Sequence, residues 1–470
     1  MEYNKMQKHF LHRFLYPESV AIIGASNNKF AVNYHLVENL VNLGYKGKIH
    51  PVNPNQDEVF GIKTFKNFND IGEYVDLVVI SVAVSNVLEI VENLPGDKIG
   101  GVVLVTGGFS EIGEEGKKIQ DEIARILKEK GIRAIGPNAL SPINSSNKFA
   151  VSFFTMAGLP SGKVSFIFQS GMYEPRFNWM LSDFHLGVAK LIDLGNKMDI
   201  SEVDAMEYLS QDPETKVICI HLESIKGGGR RFFDLLKQTT PGKPVIVLKG
   251  GRTEAGAKAV MSHTGSLVQG SDIVFQSALK QAGAIKVDTL DDFLYIAKAF
   301  SYLPIPKGNR IAIATFPGGE AVLATDTVYQ DGLVMAKPGQ SSYDRLHKTF
   351  PAWEIALNPY DFGIIYTFSS FNNNHGAFIE AMADDENVDC IAVQLPPPVF
   401  PIDPEMFCSP FLTAPQKGKP LVAWPTHMLR FDTDVITWLE AHSIPVFPSG
   451  AIAVKCLAAL NRYRLISQAS

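Results

Sequence analysis

Short runs of apolar, largely β-branched residues recur along this chain. Each stops at Gly, Pro, Asn or Ser, and a stretch of helical character follows. Val20–Ile23 runs into Gly24, Lys48–Val52 into Asn53-Pro54, Leu77–Val82 towards Ser85, and Val102–Val105 into Thr106-Gly107-Gly108. Continuous rather than alternating hydrophobicity belongs to strands buried on both faces, as in a parallel sheet covered by helices. The intervening segments supply the helices: in Glu114–Lys130 charged and apolar residues recur at helical spacing. The pattern is that of a doubly wound α/β fold.

The pattern restarts twice. Ala157-Gly158-Leu159-Pro160-Ser161-Gly162 precedes a strand-like run at Val164–Phe168, and Leu303-Pro304-Ile305-Pro306-Lys307-Gly308 precedes another at Ile311–Ala314. A chain of 470 residues exceeds one ordinary core. Three α/β domains are therefore expected, at 1–155, 156–303 and 304–470. Further strands are expected at Val217–His221 and Val245–Leu248 in the middle domain, and at Cys390–Leu395 and Leu421–Trp424 in the last.

Charge and cysteine usage narrow the partners. A net charge of −6 argues against nucleic acid or an anionic membrane surface. Cys219, Cys390, Cys408 and Cys456 are scattered, with no CxxC pair and no metal-ligand spacing. Neither a disulfide framework nor a metal site is expected, and a reducing, cytoplasmic setting fits. No uncharged apolar run reaches the ~18 residues of a spanning helix, and the N-terminal stretch lacks the apolar core of a signal peptide.

Open α/β sheets bind ligands beyond the carboxyl ends of their strands. In the first domain Gly24-Ala25-Ser26-Asn27 is a turn of small residues, which lets backbone approach a phosphate; a helix expected to follow would offer unpaired N–H groups. With a single glycine it falls short of GxGxxG, and a tight structural turn reads the same way. Asn53-Pro54, Thr106-Gly107-Gly108-Phe109-Ser110-Glu111 and Gly136-Pro137-Asn138 end other strands of this domain.

In the middle domain Lys249-Gly250-Gly251-Arg252 leads into a segment rich in small residues, Thr253 to Leu267, expected to be a mobile loop with one functional side chain, His263. A lone loop histidine is usually an ordinary surface residue, so its neighbours matter. Glu223 ends the strand Val217–Glu223; a carboxylate that accepts one imidazole N–H fixes the tautomer and leaves the other nitrogen nucleophilic. The competing reading is a solvated acid, or one paired with Lys226, Arg230 or Arg231. Phe168-Gln169-Ser170-Gly171 ends a strand where a helix is expected, with Ser170 as N-cap and the following N–H groups as an anion site. A phosphoryl group on His263 needs such donors. The G-x-S-x-G elbow of serine hydrolases is missing around Ser170.

These turns and loops together resemble the NDP-forming acyl-CoA synthetase family, which includes succinyl-CoA synthetase α subunits and archaeal-type ADP-forming acetyl-CoA synthetases. The resemblance implies a Rossmann-like CoA-binding domain followed by two flavodoxin-like CoA-ligase domains. CoA would lie against Gly24, Ala25, Ser26, Asn27, Asn53, Pro54 and Asn138. His263 would carry the phosphoryl group, oriented by Glu223, with Ser170, Gly171 and Gly265 binding phosphate. Leu194-Gly195-Asn196-Lys197-Met198-Asp199 resembles a turn near the active site, and Asn358-Pro359-Tyr360-Asp361 resembles an Asn-Pro-Val-Asp turn of the last domain.

The chain also departs from the family. Ala139 stands where Cys is common, a loss without consequence for CoA binding. Met172-Tyr173-Glu174-Pro175-Arg176-Phe177 replaces small residues after Gly171, which would remodel the acyl pocket; Pro175 suits a first helical turn. Thr315-Phe316-Pro317-Gly318-Gly319 departs from a Gly-rich counterpart, and the last domain is assigned no chemistry. His375, His427 and His442 are expected to be structural or surface residues. Neither an ATP-grasp region nor a Walker sequence GxxxxGK[ST] is present.

The resemblance therefore implies the α subunit of an ADP-forming acyl-CoA synthetase, acting on a small carboxylic acid and its acyl-CoA through acyl-phosphate and phosphohistidine intermediates. ADP or ATP with Mg would sit on a separate ATP-grasp β subunit in an alpha2beta2-type assembly, with no tightly bound cofactor on this chain. The alternative is a CoA-binding regulatory or scaffold protein whose catalysis is lost; a third reading, an NAD dehydrogenase, leaves the middle domain unexplained.

Overall fold

The computed structural model describes residues 9–169, 174–226, 228–264, 272–316, 318–348, 358–363, 371–396, 403–426 and 433–468, without the side chains of 174–176, 259, 261–264, 371–374 and 433. These residues form three largely parallel sheets and a two-stranded antiparallel ribbon (Glu58–Val59 with Ile62–Lys63), in two compact units, Met1–Leu290 and Asp291–Ser470.

The first sheet consists of β1 (Ser19–Ile23), β2 (Lys48–Val52), β3 (Leu77–Ile80), β4 (Val102–Leu104) and β5 (Ala134–Ile135), in the order β2-β1-β3-β4-β5. All its pairs are parallel. The order reverses between β1 and β3, which places the ligand crevice of a doubly wound sheet beside Gly24. Helices α1 (His35–Leu43), α2 (Val84–Asn93) and α3 (Glu114–Glu129) cover it. The helix expected directly after the Gly24 turn begins only at His35. Asn28 to Tyr34 first make successive turns, Ala31 N–H to Asn28 O and Tyr34 N–H to Ala31 O.

The second sheet consists of β6 (Ile143–Asn144), β7 (Phe149–Ala150), β8 (Ser161–Phe168), β9 (Val188–Asp193), β10 (Val217–Leu222), β11 (Val245–Lys249) and β12 (Ile285–Val287), in the order β12-β11-β10-β8-β9-β6-β7. The antiparallel pair β6 and β7 lies inside segment 1–155 but extends this sheet. One apolar core runs on from Val20 and Ile22 through Ile167 and Ile192 to Ile220 and Val247, so the two sheets form a single unit. Strand β9 gave no apolar run because Lys190 and Asp193 interrupt it. Lys190 is buried all the same, its ammonium 2.7 Å from Asp212 and 2.8 Å from Glu214. Helices α4 (Glu174–Asp183), α5 (Glu202–Gln211), α6 (Gly229–Thr239), α7 (Glu254–Thr264) and α8 (Asp272–Gln281) connect these strands. Pro175 falls in the first turn of α4, where a missing N–H costs nothing.

The third sheet holds β13 (Arg310–Thr315), β14 (Val334–Met335), β15 (Tyr360–Asp361), β16 (Cys390–Leu395) and β17 (Leu421–Pro425), in the order β14-β13-β16-β17 with β15 against β13. Asn358 stitches it together: its amide donates to Ile311 O (2.9 Å) and Ala336 O (3.0 Å) and accepts from Ile313 N–H (3.0 Å). The helix α9 (Leu290–Tyr302), inside the segment 156–303 expected as the middle domain, lies almost wholly in this second unit. Its Lys298 is buried against Glu440 and donates to Val446 O at 3.0 Å. All four cysteines are buried thiols. No helix among the described residues is long and apolar enough to cross a membrane.

Candidate active site

Around the first sheet, the turns singled out in the sequence meet. Gly24 has φ +94°, and a Cβ there would lie 2.2 Å from Ser81 O, so only glycine fits. The Asn53 amide donates to Ala25 O (2.8 Å) and accepts from Asn55 N–H (2.8 Å), which ties the Asn53-Pro54 turn to the turn after β1. The Ser26 hydroxyl accepts from Asn28 N–H at 3.0 Å, and Asn27 bridges to Glu58 O and Phe60 N–H. Asn138, in the left-handed region at φ +61°, is exposed beyond β5 and donates its N–H to Thr106 O. This edge of small residues and amides is of the kind that fits a phosphate-bearing ligand.

At the carboxyl end of the second sheet, Gln169 and Glu223 follow the adjacent strands β8 and β10. Gln169 is buried, and its carbonyl accepts from Glu223 N–H (2.8 Å), Ser224 N–H (2.9 Å) and the Lys197 ammonium (3.0 Å); its amide donates to Ser224 Oγ (2.9 Å). Glu223 is 7% exposed. The cations considered as its partners point elsewhere: Lys226 to the carbonyls of Lys197 and Met198, Arg230 to Asp234 (2.9 Å), Arg231 to Glu207 (2.9 Å).

The segment leading to His263 starts against Glu223. A methyl group at Gly250 would lie 3.6 Å from Glu223 Cγ and 3.8 Å from His221 Nε2. A cavity of about 360 Å³ opens there, lined among others by His221, Lys249, Gly250, Gly251, Arg252 and Thr253. Burial pushes the Lys249 ammonium below its ordinary value, opposed by Asp272. Arg252 closes one side through an ion pair with Asp288, which also takes Lys286 at 2.8 Å.

His263 is not in a loop here: it is the penultimate residue of α7. Small residues suggested a loop, but Ala255, Ala257 and Ala259 are strong helix formers. The Thr253 hydroxyl caps the helix from Gly256 N–H (3.0 Å), and Glu254 pairs with Lys258 one turn on (2.9 Å). The side chain of His263, and residues Ser170, Gly171 and Gly265, lie outside the described residues.

The turn Leu194–Asp199 joins the two sheets, a role its sequence did not disclose. Gly195 (φ +54°) passes so close that a Cβ would meet Pro137 O at 2.2 Å. Asn196 donates to Glu111 (2.6 Å) and Gln120 (2.9 Å); Asp199 accepts from Arg133 (2.7 Å) and Ala134 N–H (2.9 Å). Burial alone would raise the Glu111 carboxyl, but the Asn196 amide and backbone N–H groups hold it below its usual range. Lys197 adopts φ +53°, a strained conformation costing about 1–3 kcal/mol for a residue with a side chain. Its buried ammonium donates to Gln169, to Glu202 (3.1 Å) and to Ser224 O (2.7 Å). Burial lowers its affinity for the proton, and Glu202 and Glu223 oppose that. Lys197 was read from sequence only as one residue of the Leu194–Asp199 turn, and Glu202, beside the capping box of Ser201 and Asp204, was not singled out. Among the described residues no three His, Cys, Asp or Glu side chains gather as a metal site would require.

Fold and site together define a CoA-binding domain joined to a ligase-type flavodoxin domain. Residues 18–143 match the family model of a CoA binding domain, and residues 161–300 that of a succinyl-CoA ligase like flavodoxin domain. ADP-forming acetate–CoA ligase II of Archaeoglobus fulgidus is 34% identical over 456 residues, 96% of this chain and 67% of that protein. The alpha subunit of ADP-forming acetate–CoA ligase II of Pyrococcus furiosus is 35% identical over 417 residues, 88% of this chain and 89% of that one. The structure of the Ca. Korarchaeum cryptofilum dinucleotide forming acetyl-coenzyme A synthetase 1 in complex with phosphate and ADP superposes with a TM-score of 0.88, at 30% identity over 97% of both chains. The chain belongs to the family of ADP-forming acid–CoA ligases.

Proposed function

We propose that this chain is the α subunit of such a ligase and carries the phosphoryl group on His263 between an acyl phosphate and a nucleoside diphosphate. The observation that carries this reading is the end of the second sheet. There the Glu223 backbone is clamped by Gln169, and Glu223 abuts Gly250 at the start of the segment bearing His263. In the direction of ATP formation, a phosphate oxygen attacks the acyl-CoA carbonyl, the C–S bond breaks, and CoA leaves as the thiol. An imidazole nitrogen of His263 then attacks phosphorus, the P–O bond to the acyl oxygen breaks, and the carboxylate leaves. Glu223 accepts the other imidazole N–H and stabilises the phosphorylated ring. Ser170, Gly171 and Gly265 supply phosphate donors. Positioning and fixed dipoles do most of the work.

CoA, a substrate thiol here, fits the edge formed by Gly24, Ala25, Ser26, Asn27, Asn53, Pro54 and Asn138: Gly24 admits no side chain and the neighbouring amides are fixed. A relative is named as an alpha subunit; we assign the nucleotide and its Mg to an ATP-grasp β subunit, in an alpha2beta2-type assembly in the cytoplasm. The acyl group is that of a small carboxylic acid, in a pocket altered by the residues after Gly171.

The test is to incubate the purified chain with acetyl-CoA or another short acyl-CoA and radiolabelled phosphate. An acid-labile, base-stable protein label is expected; its survival in His263→Ala would overturn the assignment. Full ATP-forming turnover by the isolated chain would overturn the division between two subunits. CoA binding without any label would favour the regulatory alternative.

A further inference from the structure

A lysine that is buried, strained and satisfied by three different elements is an expensive way to build a turn. Lys197 follows β9, yet its ammonium reaches Gln169 after β8, Ser224 after β10 and Glu202 in the first turn of α5. Gln169 is in turn the acceptor for Glu223 N–H and Ser224 N–H. Removing the ammonium would leave Glu202, which is fully buried, without its cation. The charged groups acting on Lys197 are Glu202 and Glu223, and Lys226 lies within electrostatic range, itself acted on by Asp199, Glu202 and Asp204. One ammonium thus pairs with the buried carboxylate of Glu202 and acts electrostatically on that of Glu223. The same turn is held to the CoA-binding sheet through Asn196 and Asp199.

We propose that Lys197 is a positioning residue for the phosphoryl step: through Gln169 and its own charge it fixes where Glu223 stands and how strongly that carboxylate attracts the imidazole N–H of His263. The inference rests on the phosphocarrier reading. Arginine keeps the charge but not the compact reach of an ammonium, so Lys197→Arg retains the charge effect and loses part of the placement.

The experiment follows the rate of His263 labelling from acetyl-CoA and radiolabelled phosphate against pH, in the full chain and in Lys197→Met, Lys197→Arg and Glu202→Gln. Lys197→Met removes a positive charge and Glu202→Gln a negative one from the same buried cluster, so their effects on the pH profile of labelling are expected to be opposite in sign. The acidic limb is expected to move up in Lys197→Met and down in Glu202→Gln, and to stay near its original position in Lys197→Arg. Labelling in Lys197→Met should also slow at least about tenfold with CoA affinity retained. A purely packing role would not move the limbs in opposite directions. Limbs that stay fixed or move together overturn the proposal, and Glu202→Gln carries the test if Lys197→Met does not fold. A native chain that takes no label dependent on His263 overturns the phosphocarrier reading instead.

Discussion

The carboxyl ends of the second and third sheets use one device for different ends. In the second, buried Gln169 accepts the N–H of Glu223 from the neighbouring strand end; in the third, buried Gln394 accepts the N–H of Phe316 from its neighbour at 2.7 Å. Around Gln169 stand the polar groups Lys197, Glu202 and Ser224. Around Gln394, among the described residues, the neighbours are aromatic: His375 stacks on Phe316 at 5.4 Å, with Phe362, Phe407 and Phe411 about it, and its Nε2 lies 3.4 Å from Gln394 O. Burial pushes the His375 imidazole down to about 3, so it is a neutral core residue. The fold places a crevice at both positions, and the side chains decide whether chemistry is possible there.

Exchanging histidines breaks the comparison most severely. His263→Ala is expected to abolish the acid-labile label altogether, while His375→Phe leaves it; loss of label in a folded His375→Phe chain would show that the third sheet takes part. Glu223→Gln should slow labelling about 10²-fold while CoA binding persists, read by single-turnover labelling and calorimetry. Next in size, Gln169→Leu strands two N–H groups, so it should slow labelling about tenfold and lower stability by about 1–3 kcal/mol. Gln394→Leu should show only the second effect, in urea unfolding. The smallest effect is a pH slope. The folded value of His375 is depressed, so the unfolded chain binds the proton first. Its stabilisation is complete above the unfolded value of 6.5 and is lost as pH falls from there towards about 3, by at most about 1.4 kcal/mol per pH unit. Urea midpoints of the native chain and of His375→Phe at pH 7 and pH 5 should differ by that slope; equal slopes would contradict a buried neutral imidazole.

The strands with apolar runs, β1 to β4, β8, β10, β11, β13, β16 and β17, were legible because continuous burial leaves a local trace. Strand β9 was not, since its buried Lys190 reads as a surface residue until Asp212 and Glu214 are brought to it. The pair β6 and β7 was not read as strands, since two-residue strands leave no apolar run, and sequence order does not say which sheet a short strand joins. At the site, Gly24, Asn53 and Glu223 could be picked out by position after a strand. The helical setting of His263 was missed, because alanines and glycines suit both a loop and a capped helix.

Residue order alone determined the α/β class, the strand ends that carry ligand-facing turns, and the candidacy of His263 and Glu223, because hydrophobic runs and turn residues act over a few neighbours. Tertiary structure alone decided that Lys197, Glu202 and Gln169 form one buried cluster behind Glu223, and that His375 in the third sheet's unit is buried among aromatic rings. Burying a charge is tolerable only once its partners have arrived from distant segments, so no local pattern announces such a cluster.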